Sequence, residues 1–488
     1  MLTNGAASSR EWRSRAARIW RSRRWRSRLE SKHAVFMMAL TGYMVFFAGH
    51  YVSGDNAYRI AWAKALIDHH GNDISSYIPG TVYTKYGIGG ALLHIPFIIA
   101  ARIVKRLTGI ACEGPVNMML YELNAALGVA LIYAILTERC GIERRDGVFR
   151  ALAIGFASVW FPYSKVEYAE SLVATALLAA WLLAEQWAWA AGLIGGFAIA
   201  LRMDAALWFG LIVVIAPGRY GQKIKLAGGA TPGVLITLWS NYARSGNVFN
   251  SGYEINFSTP LLTGLYGFLL SAGKSIFLFS PLLILYAPSA LMLWRRKRCR
   301  ELVAWSLALL AGQLCFYGKW WDWSGDDAWG PRLVILSTLA ALIVVAASDW
   351  AATKWFTALA VCGLVLQMPP ALMGPHTSVM LDHTREASRA RSWSGEPVCA
   401  NLDDLRFNPA CSQVTNTAEL LLMKMLPGNK EWIARTAWIA GMRPELTPDE
   451  ISYDLLWLRP HGGSHDDGAS YRWSSPMSSQ AAPAGSGQ

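Results

Sequence analysis

Charged side chains are scarce in this sequence: Asp, Glu, Lys and Arg make up 16% of its 488 residues, against 53% hydrophobic residues. Ordinary soluble domains carry about 25% charged residues, so a soluble enzyme and a disordered chain are both excluded. Segments 34–52 and 276–294 hold too few charges for one helix face to meet water. Because stretches of about 20 apolar residues span a bilayer core, we predict a multi-span membrane protein.

Cysteine is also sparse, with seven residues and no CxxC pair, which excludes a disulfide-rich mini-protein and gives no sign of a cysteine metal site. Cys399 and Cys411 lie close together in a polar stretch, and a disulfide between them is expected if that side of the membrane is oxidising. A clear internal hydropathy repeat is missing as well. A solute transporter is therefore the least favoured of three functional hypotheses.

The positive charge is concentrated at the start of the chain. Residues 1–33 hold nine Arg and Lys32 against Glu11 and Glu30, a net charge of +8. We interpret this segment as a cytoplasmic arm lying on anionic lipid; a nucleic-acid-binding arm is the alternative, and no other feature supports it. The apolar run that follows contains Phe46 and Phe47 and is too long for a signal-peptide core, which predicts an uncleaved anchor.

Basic loops predict the topology, because cytoplasmic loops carry excess Lys and Arg. Loops 137–150, 219–225 and 295–300 are expected inside, which places 241–274 and 319–332 outside. This parity requires segment 88–104 to lie against the membrane, since a crossing there would put Glu170 inside. The expected spans lie near 34–52, 118–136, 151–163, 171–186, 188–201, 204–217, 227–240, 275–293, 302–318, 333–348 and 355–372.

The predicted fold is therefore an all-α polytopic bundle of about eleven transmembrane helices. It has a long first extracytoplasmic loop and a small C-terminal extracytoplasmic region. We divide the chain into a basic arm (1–33), a transmembrane domain (34–372) and a C-terminal extracytoplasmic region (373–473). Residues 474–488 are rich in Ser, Ala, Pro and Gly and are expected to be disordered.

Two carboxylates stand out on the predicted outer face. Asp55 directly follows the first apolar run, and Glu170 interrupts the apolar run between two short spans. Each has a structural alternative as a helix cap. Carboxylates at the mouth of a helix bundle are nevertheless usually paired or functional, because burying their charge is costly. We predict that both belong to a site.

Cations and aromatic side chains share the outer face with these acids. For Arg202 the simpler explanation is an ion pair with Asp204, and for Lys274 it is an anchor at the membrane interface. Four Trp within 319–332 fit an aromatic belt, but the three Asp and the Gly-Pro turn there favour a binding surface. We expect phosphate-binding cations at Lys85, Lys274, Arg202 and Arg332. Sugar or acceptor contacts are expected from Tyr58, Tyr86, Tyr253, Trp320, Trp321, Asp322 and Trp323.

Such a mouth suits a sugar joined through phosphate to a long lipid, with its tail in the bilayer and its head in water. Aromatic faces can pack on a pyranose ring, and cations can neutralise the phosphate as it leaves. One carboxylate can take the proton from the acceptor hydroxyl while the anomeric carbon gains oxocarbenium character.

Several motifs occur in an order that resembles the membrane glycosyltransferases of GT-C architecture, specifically bacterial relatives of the protein O-mannosyltransferases and aminoarabinose transferases. The resemblance covers roughly residues 34–350. The motifs are Ser53-Gly54-Asp55, Lys85-Tyr86-Gly87-Ile88-Gly89, the stretch 162–170, Asn241-Tyr242-Ala243-Arg244-Ser245-Gly246 with Ser251-Gly252-Tyr253, Ser271-Ala272-Gly273-Lys274 with Ser280-Pro281, and the stretch 320–332.

The resemblance implies that Asp55 is the first-loop acid, acting as base or positioning group, and that Lys85 and Lys274 face the lipid phosphate. Glu170 is similar to an acid that in some members helps to hold a divalent metal ion, so a divalent cation at Asp55 and Glu170 is an open expectation. Many relatives have an acidic pair after the first span, whereas Asp55 is here followed by Asn56.

The resemblance also implies an inverting transfer from a polyprenyl-phosphate sugar to an extracytoplasmic glycan, lipid or protein. The expected location is the bacterial inner (cytoplasmic) membrane, with a cytoplasmic N-terminus, a periplasmic active face and no nucleic-acid partner. A non-catalytic translocator or scramblase of polyprenyl-linked sugars is the alternative, because it needs phosphate-binding cations but no general base.

Overall fold

The computed structural model of the protein describes residues 31–51, 53–253, 255–325, 328–374, 402–409, 412–426 and 453–458. These ranges are helical, and no β-strand occurs in them, which confirms the all-α prediction. Cys399, Cys411, the basic arm up to residue 30 and the tail 474–488 lie outside the described residues. The disulfide and the tail therefore stay predictions.

The helices are numbered in chain order, and short 3₁₀ turns connect several of them. The first described helix, α1, covers 31–45. The others are α2 (Gly54–Ile67), α3 (Ile88–Thr108), α4 (Glu113–Ala134), α5 (Arg144–Phe156), α6 (Ala169–Leu183), α7 (Ala188–Leu201), α8 (Ala205–Ile215), α9 (Tyr220–Gly229), α10 (Thr231–Ser245), α11 (Leu261–Leu270), α12 (Ile276–Phe279), α13 (Tyr286–Arg295), α14 (Arg300–Gly318), α15 (Ile335–Ala347), α16 (Lys354–Met373), α17 (Leu402–Phe407) and α18 (Gln413–Met425).

Four segments among the described residues are long and apolar enough to cross a membrane: Ile88–Thr108, Glu113–Arg139, Arg300–Gly318 and Lys354–Met373. Shorter apolar helices, such as α6, α7 and α8, accompany them. The chain is therefore a multi-pass membrane protein. The number of spans and their orientation remain predictions.

One predicted span is divided in the structure, and one predicted loop contains a helix. The expected helix 275–293 breaks after α12, continues as a 3₁₀ turn, Pro281–Leu285, and becomes α13. Proline cannot donate the next helical hydrogen bond, and the Ser280 hydroxyl instead accepts the backbone N–H of Val159 at 3.2 Å. The expected polar outer stretch 241–274 contains the apolar helix α11, whose short run the charge pattern did not reveal.

Helix α15 forms the centre of the bundle, since each of its residues is buried. It packs against α14, α13 and α6. Its sequence is almost entirely Ala, Val, Leu and Ile, which is typical of a helix that is apolar on every side because it meets protein everywhere. The 3₁₀ turn Arg332–Val334 leads directly into α15, so this rigid helix fixes the position of Arg332.

Small residues let α7, α9 and α10 pack closely. A Cβ atom added to Gly233 of α10 would overlap the backbone of Gly196 in α7, and one added to Gly196 would overlap the carbonyl group of Ala230. Backbones approach this closely in membrane bundles only where side chains are absent.

Replacement of Gly233 by Leu is therefore expected to destabilise the bundle by about 1–3 kcal/mol or more, because overpacking forces the helices apart. Thermal unfolding in detergent measures this as a lower Tm. The matched control is Gly210→Leu, since a Cβ at Gly210 meets nothing within 4 Å. Equal Tm values for the two variants would contradict the close α7–α10 contact.

Helix α3 packs against α2, α4 and α7. Its first turn packs on the C-terminal end of α7, where a Cβ on Gly89 would lie 2.8 Å from the carbonyl carbon of Ala200. Near its other end, Arg102 pairs with Asp68 at 2.6 Å, just after α2. Helix α3 is long and apolar enough to cross a membrane, so the position of segment 88–104 against the membrane stays a prediction.

The topology predicts that Arg145→Cys, exposed at the start of α5, is labelled by an impermeant thiol reagent only from the cytoplasmic side. Lys85→Cys is expected to be labelled only from outside. The measurement uses intact and permeabilised cells in a background without the native cysteines. Labelling of both variants from the same side would invalidate the predicted parity.

Candidate functional site

Asp55 lies in the first turn of α2, where its carboxylate faces other side chains instead of capping the helix. Ser53 is the N-cap residue, and no side chain makes a capping bond there. The Tyr86 hydroxyl donates to Oδ1 of Asp55, while Oδ2 lies 3.8 Å from a guanidinium nitrogen of Arg59 and 3.9 Å from one of Arg332. The side chain is 30% exposed, so this charged group is held yet accessible.

These neighbours keep Asp55 ionised. Burial works against the charge, but the positive charges of Arg332 and Arg59 and the Tyr86 hydrogen bond outweigh it and hold the pKa of Asp55 below its ordinary value. The pKa of Tyr86 is raised by its own burial and by the Asp55 carboxylate, so this phenol stays protonated and donates. Asp55 is thus a carboxylate with lone pairs available at neutral pH.

Arg332 connects the two predicted acids. Its Nη1 lies 3.9 Å from Asp55 Oδ2, and its Nε lies 3.9 Å from Oε1 of Glu170. The guanidinium carbon sits 4.4 Å from the ring centroid of Tyr168, a cation–π contact. One guanidinium group therefore lies between Asp55 and Glu170 and brings the two predicted acids together.

Arg202 extends the cluster on its inner side. It donates to Glu170 and makes two bonds to Asp204, from Nη2 at 2.9 Å and from Nε at 3.1 Å. The ion pair between Arg202 and Asp204 is therefore real, and it is continuous with the predicted site. Tyr317 also donates to Asp204. A cleft here is lined by Glu170, Val173, Arg202, Asp204, Trp208, Gln313, Tyr317, Arg332, Leu333, Ile335 and Leu336.

Lys85 lies on the solvent side of the cluster, exposed and between two aromatic rings. Its ammonium nitrogen is 5.6 Å from the ring centroid of Tyr86 and 5.5 Å from that of Tyr253. Gly252 permits this approach: its φ is +80°, and a Cβ there would lie 2.9 Å from Cα of Lys85. The Tyr58 ring lies 6.0 Å from that of Tyr86, centroid to centroid.

Lys274 and residues 320–323 do not line this cleft. The Lys274 side chain is 2% exposed, and its ammonium donates to the carbonyl oxygens of Ala328 at 2.6 Å and Gly330 at 3.3 Å. It thus supports the loop that precedes Arg332. Its predicted role in phosphate binding stays a prediction, and this geometry does not place it in the cleft.

The other residues predicted from 320–323 are also mainly packed. Trp323 is 2% exposed and meets Phe268 edge-on, and Asp322 accepts a hydrogen bond from Ser324 at 3.3 Å. Trp320 packs edge-on against Phe257 at 5.6 Å between centroids. Trp321 is 49% exposed. The structure brings Asp55, Glu170, Lys85, Arg202, Arg332 and the three predicted tyrosines together and leaves this loop beside them.

The chain is similar to ArnT from Cupriavidus metallidurans. That crystal structure, in the apo state, matches with probability 1.00 and a TM-score of 0.43 at 15% sequence identity, over 89% of this chain and 77% of that one. No family model matches the chain, and no curated protein matches it.

A divalent cation at Asp55 and Glu170 can be tested against this donor set. The two carboxylates share the guanidinium of Arg332, so an ion between them would have to displace that cation. In the part of the chain that the structure describes, no group of three or more His, Cys, Asp or Glu side chains is placed to hold a metal. The donor set fits the guanidinium better than a metal ion, and a metal requirement stays untested.

Four contributors were missed from the sequence: Arg59, Tyr168, Asp204 as a site member, and Tyr317. Arg59 lies four residues after Asp55, and this helical spacing places both on one face of α2, a signal that could have found it. Tyr168 stands two residues before Glu170. Tyr317 carries no such signal, because only the packing of α8 against α14 brings its hydroxyl to Asp204.

Proposed function

We propose that the protein is a membrane glycosyltransferase that moves one sugar from a polyprenyl-phosphate-linked donor to an extracytoplasmic glycan, lipid or protein. The observation that supports this most is the Asp55 carboxylate, which is accessible, ionised and flanked by Arg332, Arg59 and Lys85. A carboxylate base can accept the proton of the acceptor hydroxyl, and neighbouring cations can stabilise a leaving lipid phosphate.

In the proposed reaction, Asp55 accepts the proton of the acceptor hydroxyl as that oxygen attacks the anomeric carbon. The new bond joins the acceptor oxygen to that carbon, and the bond from the carbon to the phosphate oxygen breaks. Polyprenyl phosphate leaves with the bonding electron pair, so a single displacement inverts the anomeric centre. Because phosphate is a good leaving group, no general acid is required.

The cations have a separate task. The leaving phosphate gains negative charge in the transition state, and fixed cations stabilise that charge most where they cost no reorganisation. Lys85 is exposed, so we assign it to contact the donor phosphate. Arg332 is held by Asp55, Glu170 and the Tyr168 ring, so we assign it as the fixed cation that stabilises the developing charge.

Aromatic rings near Lys85 fit the sugar. The Tyr86 and Tyr253 rings lie beside the Lys85 ammonium, and the Tyr58 ring packs against that of Tyr86. Because Tyr86 is 5% exposed, the half-buried Tyr58 and Tyr253 are the better surfaces for the apolar face of a pyranose. The donor sugar and the acceptor are not specified by this arrangement. We place the site on the periplasmic side of a bacterial inner membrane, in accord with the charge pattern of the loops.

The decisive experiment incubates purified protein in lipid with a panel of polyprenyl-phospho-sugars and candidate acceptors, and measures released polyprenyl phosphate by mass spectrometry. Transfer by the wild type, lost in Asp55→Asn, supports the proposal. Movement of fluorescent polyprenyl-linked sugar between leaflets that is equal in both proteins, without release of polyprenyl phosphate, would indicate the translocator instead.

A further inference from the structure

Residues 453–458 of the C-terminal region pack against the transmembrane bundle, next to the end of its first helix. The backbone N–H of Asp454 donates to Leu372 at 2.7 Å, and that of Leu456 donates to Phe47 at 2.8 Å. The Leu456 side chain rests on Gly49, where an added Cβ would lie 2.9 Å from a Leu456 methyl carbon. Residues 453–458 are thus fastened between α16 and the end of the first apolar segment.

Asp454 is the charged centre of this contact. Its carboxylate lies 2.6 Å from the His50 imidazole and 2.9 Å from the Lys165 ammonium, which also donates to the Asp454 carbonyl at 2.7 Å. Lys165 is 1% exposed. Burial opposes the charge of Asp454, but Lys165 and His50 outweigh it and lower its pKa. Removing one partner of such a buried pair leaves the other poorly solvated, which is costly.

The segment that Lys165 anchors leads directly to the candidate site. Two residues later, the Glu167 carboxylate accepts the backbone N–H of Ser53 at 3.0 Å, and the Glu167 carbonyl accepts Arg59 at 2.7 Å. Tyr168 follows, with its ring under Arg332. Arg59 and Arg332 are the two guanidinium groups beside Asp55. A shift at Lys165 would therefore reach both.

A second contact reaches the loop before Arg332. The side-chain oxygen of Gln413 accepts the backbone N–H of Gly330 at 3.1 Å, and the carbonyl of Arg406 accepts that of Gly273 at 3.0 Å. Gly273 precedes Lys274, whose ammonium holds the carbonyl of Gly330. The C-terminal region thus fixes both segments that meet at Asp55.

We infer that the C-terminal region, through Asp454 and Gln413, is a positioning element that holds Arg59 and Arg332 against Asp55. This inference rests on the proposed transferase function for its kinetic part only. Neither residue touches the substrate in this scheme. Their loss should therefore disturb the geometry of the transition state more than the affinity for the donor.

The test compares wild type with Asp454→Asn, Gln413→Leu and the control Asp73→Asn, an exposed acid whose Oδ1 accepts the backbone N–H of its neighbour Ser75 at 2.8 Å. We expect kcat to fall about tenfold or more in the first two variants with KM nearly unchanged, since misplacement of catalytic groups is costly. The double variant should lose less than the product of the single effects, because both act on one cluster.

Hydrogen–deuterium exchange provides a readout that needs no activity. Exchange in Asp454→Asn is expected to rise at 162–170 as well as at 453–458, and in Gln413→Leu at 328–334. Increases confined to the substituted segments, or a kcat equal to that of Asp73→Asn, would overturn the inference. If the wild type shows no transfer with any donor, the proposed function fails, while the exchange pattern still decides whether the C-terminal region holds these segments.

Discussion

Asp55→Asn is expected to reduce transfer by about 10²–10⁴-fold, the range lost when a positioned general base is removed. The amide keeps the size of the carboxylate and still accepts the Tyr86 hydrogen bond, but it cannot take a proton at neutral pH. Donor affinity should be retained or slightly increased, because Arg332 and Arg59 lose a competing negative charge. Turnover is measured by released polyprenyl phosphate, and donor binding by the ligand-dependent shift in Tm.

Tyr86→Phe tests the same carboxylate with a milder change. It leaves the Asp55 carboxylate in place and removes the hydroxyl that donates to it, so activity should fall by much less than in Asp55→Asn. The control is the Tm of each variant without donor, which should equal that of the wild type. Transfer by Asp55→Asn at the wild-type rate would assign the proton acceptor to another group.

Arg332→Gln is expected to cause the second large loss, of about 10²–10³-fold in kcat/KM, because a fixed cation beside the leaving phosphate is removed. It should also shift the pH profile. Arg332 lowers the pKa of Asp55 in the wild type. Without it that pKa rises, the carboxylate becomes protonated at higher pH, and the acid limb of kcat/KM moves upward.

Arg332→Lys separates charge from shape. An ammonium keeps the positive charge but cannot reach Asp55 and Glu170 together as the planar guanidinium does, so activity should recover only in part. The acid limb should lie between those of wild type and Arg332→Gln. The control is Arg296→Gln, an exposed arginine directly after α13 that pairs with Asp349, which lies between α15 and α16. An unshifted acid limb in Arg332→Gln would show that the titrating group is not Asp55.

Much of the bundle follows from composition, since apolar runs and basic loops depend on local sequence alone. The runs near 188–201 and 302–318 coincide with α7 and α14. The break at Pro281 and the short helix α11 were not predicted, because a 3₁₀ turn within an apolar run and a helix of ten residues leave little periodic signal.

The charged residues of the candidate site could be selected from the sequence, but the contacts between them could not. Asp55, Glu170, Arg202 and Arg332 stood out because charge is costly at the mouth of a membrane bundle. Their partners depend on contacts between distant segments, such as Arg332 with both acids. The sequence predicted Lys274 as a phosphate-binding cation or an anchor at the membrane interface. In the structure its ammonium is buried and donates to the carbonyl oxygens of Ala328 and Gly330, a contact that depends on how the loop folds.

The bond between Lys165 and Asp454 joins residues 289 positions apart. Lys165 is synthesised long before Asp454. In the predicted topology, the segment around Asp454 has to be exported before the two residues can meet. If that contact organises the guanidinium groups, then a partly translated chain already inserted in the bilayer is catalytically idle. Consumption of lipid-linked sugar would begin only once translation and export of this late segment are finished.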